Sequence, residues 1–306
     1  MELVIRNLSK RYSNGVQALD GVSLDVPTGM FGLLGPNGAG KSTLMRTLAT
    51  LQEADAGTAA LRGVDAGDID VLANKDRVRE VLGYLPQEFG LYPKVTAIDL
   101  LDHLAGLKGI SDARARKTAV QQLLLRTNLW DARYRRLGTF SGGMKQRFGV
   151  AQALLGNPKL LIVDEPTAGL DPEERLRFLN LLADISESVV IILSTHIVAD
   201  VADLCQKVAI INRGKVVTNG DPLALVAGLK DRVWRRFVTH EELAAMQGHH
   251  HVISSRRAAG RIVVRVHSIG HPGPGFEPTA PDLEDVYFFA LNPGPVTAAP
   301  TLAEAV

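Results

Sequence analysis

The stretch "LLGPNGAGKSTLMRTL", residues 33–48, decides the architecture. The apolar run Met30–Leu34 breaks into Gly35, Pro36, Asn37, Gly38, Ala39 and Gly40. Lys41, Ser42 and Thr43 then open a segment with Leu44, Leu48 and Leu51 at helical spacing. Strand, glycine-rich turn and helix form the context in which Gly-x4-Gly-Lys-Ser/Thr binds phosphate. Its four fixed positions arise by chance in a chain of this length on the order of once in a hundred. Gly35, Gly38 and Gly40 let the backbone curl until its N–H groups face phosphate oxygens. Lys41 supplies charge to the β and γ phosphates, the Ser42 hydroxyl suits Mg2+, and the helix dipole adds to both.

Two more apolar runs extend this pattern. "KLLIVDEPT" (159–167) and "SVVIILSTH" (188–196) read as strands buried on both faces of a parallel sheet. Between them, "DPEERLRFLNLLADI" starts a helix with Asp171 at N-cap, Pro172 at N1 and two glutamates in the first turn. "MELVIRNLSKRY" (1–12) alternates like an edge strand, and "KVAIINRGKVVTNGDP" (207–222) reads as a hairpin near Gly214. Residues 96–129 are mainly helical. Together these give an α/β nucleotide-binding domain.

Composition narrows the class. Among 306 residues, 34 basic side chains face 33 acidic ones, which disfavours nucleic acid as the main partner. The single cysteine, Cys205, rules out an internal disulfide and reads as a small buried residue. The first residues lack a signal-peptide pattern, and no apolar run reaches membrane-spanning length. The His249–His251 run reads as a solvated loop, since no carboxylate or cysteine sits at ligand spacing. The basic clusters at Arg133 and Arg232 read as solvated faces or partner contacts.

Asp164 and Glu165 end the strand downstream of the phosphate loop. Asp164 suits Mg2+, and Glu165 is placed to orient or deprotonate an attacking water. His196 ends the strand expected beside it, within reach of a γ-phosphate. Gln87 lies in a loop of turn-formers, and Tyr12 offers a ring for stacking. A second glycine cluster, "TFSGGMKQRFGVAQAL" (139–154), lacks the Lys-Ser pair. Ser141, Gly142 and Gly143 precede a helix with Met144, Phe148, Ala151 and Leu155 on one stripe, so this cluster offers backbone donors to an anion without a metal ligand.

In this order and over about residues 1–222, the motifs resemble the ATP-binding subunits of ABC transporters. The resemblance implies a P-loop NTPase cassette: a mixed sheet core, a β subdomain and a helical subdomain at about 89–155. It also implies ATP and Mg2+ as cofactors. Tyr12 matches the adenine-stacking aromatic, Gly35 to Thr43 the phosphate loop, and Gln87 the glutamine that senses Mg2+ and the membrane partner. Phe140 to Met144 match the signature, which closes over the nucleotide of a second cassette. Asp164 and Glu165 match the acidic pair, Asp171 the inter-subunit loop and His196 the switch histidine. The catalytic set implied is Glu165, His196 and Lys41, with Ser42, Gln87 and Asp164 around the metal. Met144 stands where the signature most often has Gln, so a reciprocal capping box with Ser141 is lost.

"FGLLGPNGAGKST", "GYLPQEFGLYPKVTAIDLL", the Met variant and the terminal "LEDVYFFAL" are most similar to ATPases of ABC-2 type exporters. The implied function is ATP hydrolysis driving a separate integral membrane permease, through a homodimer or heterodimer of cassettes peripheral to the cytoplasmic face of the membrane. An importer ATPase of the amino-acid type, or a non-transport ABC ATPase on ribosome or DNA, is the alternative. Residues 223–292 are expected to form a small α+β appendage, and 293–306 a flexible tail.

Overall fold

Residues 160–163 and 190–193 are almost wholly excluded from solvent, as β-branched and leucine-rich runs must be when both faces of their sheet are covered. The structure is a computed structural model and describes residues 1–64, 67–167, 169–246, 248–258 and 260–292. The tail expected at 293–306 lies outside them.

In chain order, β1 (Glu2–Arg11), β2 (Gln17–Pro27) and β3 (Gly29–Leu34) lead into α1 (Lys41–Leu48). Next come β4 (Ala56–Arg62), β5 (Ile69–Asp70), α2 (Lys75–Val81) and β6 (Leu82–Leu85). A helical layer holds α3 (Ala97–Leu107), α4 (Ala113–Arg126) and α5 (Gly142–Ala153). Then follow β7 (Leu160–Asp164), α6 (Pro172–Ile185), β8 (Val190–Thr195), α7 (Val198–Leu204), β9 (Lys207–Asn212) and β10 (Lys215–Gly220). The last part is α8 (Pro222–Ala227), β11 (Val233–Val238), α9 (His240–Met246), β12 (His251–Ala258), β13 (Arg261–His267), β14 (Glu277–Pro278) and α10 (Leu283–Leu291).

The central sheet runs β10-β9-β3-β8-β7-β6. All its pairs are parallel except the β9–β10 hairpin. A smaller antiparallel sheet, β2-β1-β4-β5, closes one core with α1. The α3–α5 layer has its own core around Phe148, Leu101 and Leu124. A third sheet, β12-β13-β11-β14, packs on α9. α10 bridges this third sheet and the central core: Phe289 packs on His251 and His267, while Leu283, Val286 and Tyr287 are buried with Val201, Leu225 and Leu229. A full capping box between Asp282 and Asp285 starts α10, and Arg265 of β13 holds Asp285.

Several expectations change. β1 is no edge strand: Val4 pairs with Asp25 on one side and with Ala60 on the other. Its burial does not alternate either: Leu3, Val4 and Ile5 are all buried, while Arg6 and Asn7 are exposed. α1 stops at Leu48, and Leu51, 64% exposed, lies beyond it. The histidine run is a solvated loop only in part: His249 is exposed in a turn, but its neighbours pack. His251 starts β12, with its ring against His267 and Phe289, and His250 lies over Phe276. Imidazole faces are apolar enough to pack this way. No group of three or more potential metal ligands occurs among the described residues. In the cluster at Arg133, Arg133 itself is held against Trp130 and Tyr134, while Tyr134, Arg135 and Arg136 are exposed as expected.

Candidate functional site

Parallel strands deliver their C-terminal ends to one edge of the sheet, where α/β ligands bind. Here β3 delivers Gly35, β7 Asp164, and β8 Thr195 with His196. Gln87 follows two residues after β6. The register pairs Asp164 with Ser194, so the acidic pair and His196 lie on adjacent strands.

The loop from 35 to 43 is shaped by sterics. A Cβ at Gly35 would meet the Ile211 carbonyl at 2.4 Å, so this glycine serves close approach rather than curvature. Gly40, at φ 109°, adopts the left-handed region and serves as N-cap without a side-chain cap. The first turn of α1 therefore keeps its N–H groups uncapped and carries no acidic residue, the condition for holding an anion. Lys41, only 6% exposed, donates to the Gly35 carbonyl at 2.6 Å and to the Pro36 carbonyl at 3.3 Å. Burial pushes its ammonium below the ordinary value of 10.5, while Glu165 and Asp164 push it back up. Ser42 is exposed at the helix start, and Asn37 and Gly38 line the open side of the loop.

Glu165 joins the parts. One carboxylate oxygen lies 3.9 Å from Lys41 Nζ, and the other lies 2.6 Å from His196 Nδ1. With the carboxylate ionised, Nδ1–H must be the donor, which leaves Nε2 as the free polar atom of a half-exposed ring. Glu165 itself sits at φ 49°, an unfavourable region for a non-glycine residue. Its N–H donates to the Ser194 carbonyl at 2.9 Å, which helps fix that geometry. Asp164 is buried with one oxygen, Oδ1, lacking a hydrogen-bond partner, and the buried Ser194 hydroxyl opposite also lacks one. An orphaned carboxylate oxygen next to the phosphate loop fits a hard divalent cation such as Mg2+.

The other predicted residues lie around this centre. Tyr12 donates or accepts at Thr43 Oγ1 (3.1 Å) and bonds Gln52, while its ring stays 37% exposed. Ser141 caps α5, accepting from the Met144 N–H at 3.2 Å; Met144 makes no return bond and packs into the helical-layer core. A Cβ at Gly143 would meet the Glu174 carboxylate at 2.2 Å. Among the described residues, the polar side-chain contacts of 141–147 go to this helix and to Glu174, not to the 35–43 loop. Asp171 caps α6 through the Glu174 N–H.

Sequence reasoning missed Thr167, Arg175, Ser194 and Asp200. Asp200 is 1% exposed and binds both Thr167 and Arg175. In "HIVADVADL" it reads as one polar residue on an amphipathic turn, and nothing local marks it.

A phosphate loop, an acidic pair and a histidine at the strand ends of a mostly parallel sheet define a P-loop nucleotide-binding domain. The family profile described as "ABC transporter" matches residues 19–168. The probable multidrug ABC transporter ATP-binding protein YbhF of Escherichia coli K12 is 38% identical over 210 residues, covering 69% of this chain and 35% of YbhF. The daunorubicin/doxorubicin resistance ATP-binding protein DrrA of Streptomyces peucetius is 38% identical, covering 72% of this chain and 66% of DrrA. YxlF of Bacillus subtilis 168, an uncharacterized ABC transporter ATP-binding protein, is 36% identical, covering 72% and 70%. The chain belongs to the ABC transporter family, as an ATP-binding cassette. Its match spans about a third of YbhF's length. The fold matches the cassette MJ0796, solved as a dimer bound to ADP and Pi, with TM-score 0.62 and 23% identity over 72% of this chain and 98% of that one.

Proposed function

We propose that the chain binds and hydrolyses ATP and drives export through a separate membrane permease. The single observation that carries this is Glu165, held between Lys41 and His196 at the mouth of an uncapped phosphate-binding turn. In this reading the loop amides from Gly35 to Thr43 and Lys41 bind the phosphates, and Tyr12 stacks on the base. Ser42, Asp164 and Gln87 hold Mg2+, which when bound shields phosphate charge. Glu165 accepts a proton from the attacking water, and the His196 imidazole keeps its carboxylate oriented.

Ser141, Gly142 and Gly143 serve the nucleotide of a second cassette, and Asp171 lies at that junction. The polar environment of the signature, directed away from its own loop, supports this. The drug-resistance and multidrug names of DrrA and YbhF support export over import. No helix among the described residues is long and apolar enough to cross a membrane. The reading places the cassette at the cytoplasmic face, with residues 1–222 as the ATP-binding unit and 223–292 as an accessory unit.

Lys41→Ala should abolish ATP binding. Glu165→Gln should bind ATP but release phosphate at least about a hundredfold more slowly. Binding and phosphate release are measured separately, and wild-type release by Glu165→Gln refutes the assignment of the base.

A further inference from the structure

The buried carboxylate of Asp200 is not part of the site described above, yet three segments of that site converge on it. Thr167 Oγ1 donates to Asp200 Oδ2 at 2.9 Å. Arg175 Nε donates to Oδ1 at 2.6 Å, and a second guanidinium nitrogen lies 2.5 Å from the same oxygen. Thr167 follows Glu165 by two residues. Arg175 is in the first turns of α6, the helix that Asp171 caps. Asp200 itself lies one turn past His196, in α7.

α7 packs closely on the central sheet. Val201 is fully buried, and a Cβ on Gly32 of β3 would stand 2.4 Å from its methyl carbon. The helix is thus seated on the strand that leads into the phosphate loop. Glu165 keeps an unfavourable φ of 49°, which persists only where the surroundings over-determine it. Its own N–H bond to Ser194 fixes one side. On the other side, the polar side-chain tie nearest in sequence among the described residues is Thr167 to Asp200.

We infer that Asp200 is a positioning residue: it locks the chain after Glu165 and the start of α6 to the helix that follows His196. The Glu165–His196 pair and the Asp171 end of α6 therefore move as one unit. Asp200, 1% exposed, acts through Thr167 and Arg175. This inference rests on the hydrolytic reading proposed above.

Asp200→Asn leaves Arg175 with a weakened partner and risks misfolding, because one member of a buried ion pair is lost. Thr167→Val is the decisive variant: it keeps the shape and the Asp200–Arg175 pair and removes one hydrogen bond. With the full chain and Mg-ATP, kcat per nucleotide-binding molecule should fall about tenfold, the equivalent of one hydrogen bond to a charged group. KM for ATP should stay within about twofold. Thr167→Ser should restore kcat, which a purely packing role of the threonine methyl would not allow. Unchanged kcat in Thr167→Val overturns the inference alone, as does a loss that Thr167→Ser fails to rescue. A wild-type chain that binds ATP without hydrolysing it overturns the functional reading and this inference together.

Discussion

Replacing Leu283 with Ala tests whether α10 belongs to the central core or only to the third sheet. Leu283 is 4% exposed and sits in one cluster with Val201, Leu225 and Leu229. Truncating a leucine so placed costs about 2–5 kcal/mol, the range reflecting how far the site collapses. For a chain this large each kcal/mol lowers the melting midpoint by about 2–4 °C, so the drop should be at least about 4 °C. The chain has two tryptophans, Trp130 beside the helical layer and Trp234 on the third sheet. Trp234→Phe leaves a reporter on the ATP-binding part, and Trp130→Phe leaves one on the accessory part. With each reporter, thermal unfolding is followed by fluorescence with and without Leu283→Ala. The shared core predicts equal downward shifts of both transitions. A shift confined to the Trp234 reporter, with the Trp130 transition unmoved, would refute the reasoning.

Two further outcomes are expected. Lys41→Ala and Ser141→Arg should each abolish ATP-driven dimer closure in homodimers. Mixing them should restore it, because one site then combines an intact Lys41 with an intact Ser141; gel-filtration mass with ATP reads the closure, using Glu165→Gln homodimers as control. His267 is held below its ordinary 6.5 by burial, then by the nearby charges of His251 and Arg232. The unfolded chain therefore takes up this proton first, and stability falls as pH drops from about 6.5 through the lowered folded value. The melting midpoint should accordingly lose more between pH 7.5 and 5 in wild type than in His267→Asn, and equal losses would remove His267 from the account.

The central sheet was legible because its strands are continuous apolar runs and its site residues sit at their ends. Asp164 and His196 could be placed on neighbouring strands for that reason alone, and the register agrees. The cap at Asp171 was legible from local chemistry. The edge placement of β1 was misleading, since its two neighbours, residues 17–27 and 56–62, are set by pairings that its own sequence does not show. His250 and His251 were misread because their packing partners, Phe276 and Phe289, lie far along the chain. Asp200 was invisible for the same reason: its meaning comes from Thr167 and Arg175, which only the fold brings to it.

The return of α10 has a consequence for how the protein is made. A ribosome delivers the chain from its N-terminus, and domains generally fold as units as they emerge. The strands and helices around the phosphate loop are all present by Gly220. Yet the apolar side chains of Val201, Leu225 and Leu229 that pack with Leu283, Val286 and Tyr287 lack these partners until α10 has emerged. For that interval of about seventy residues, at ~5–20 residues per second, the nascent ATP-binding part carries an open apolar surface for several seconds. Chaperone attachment, or pairing with the wrong surface, has its widest window there, and slow codons between 222 and 283 would lengthen it.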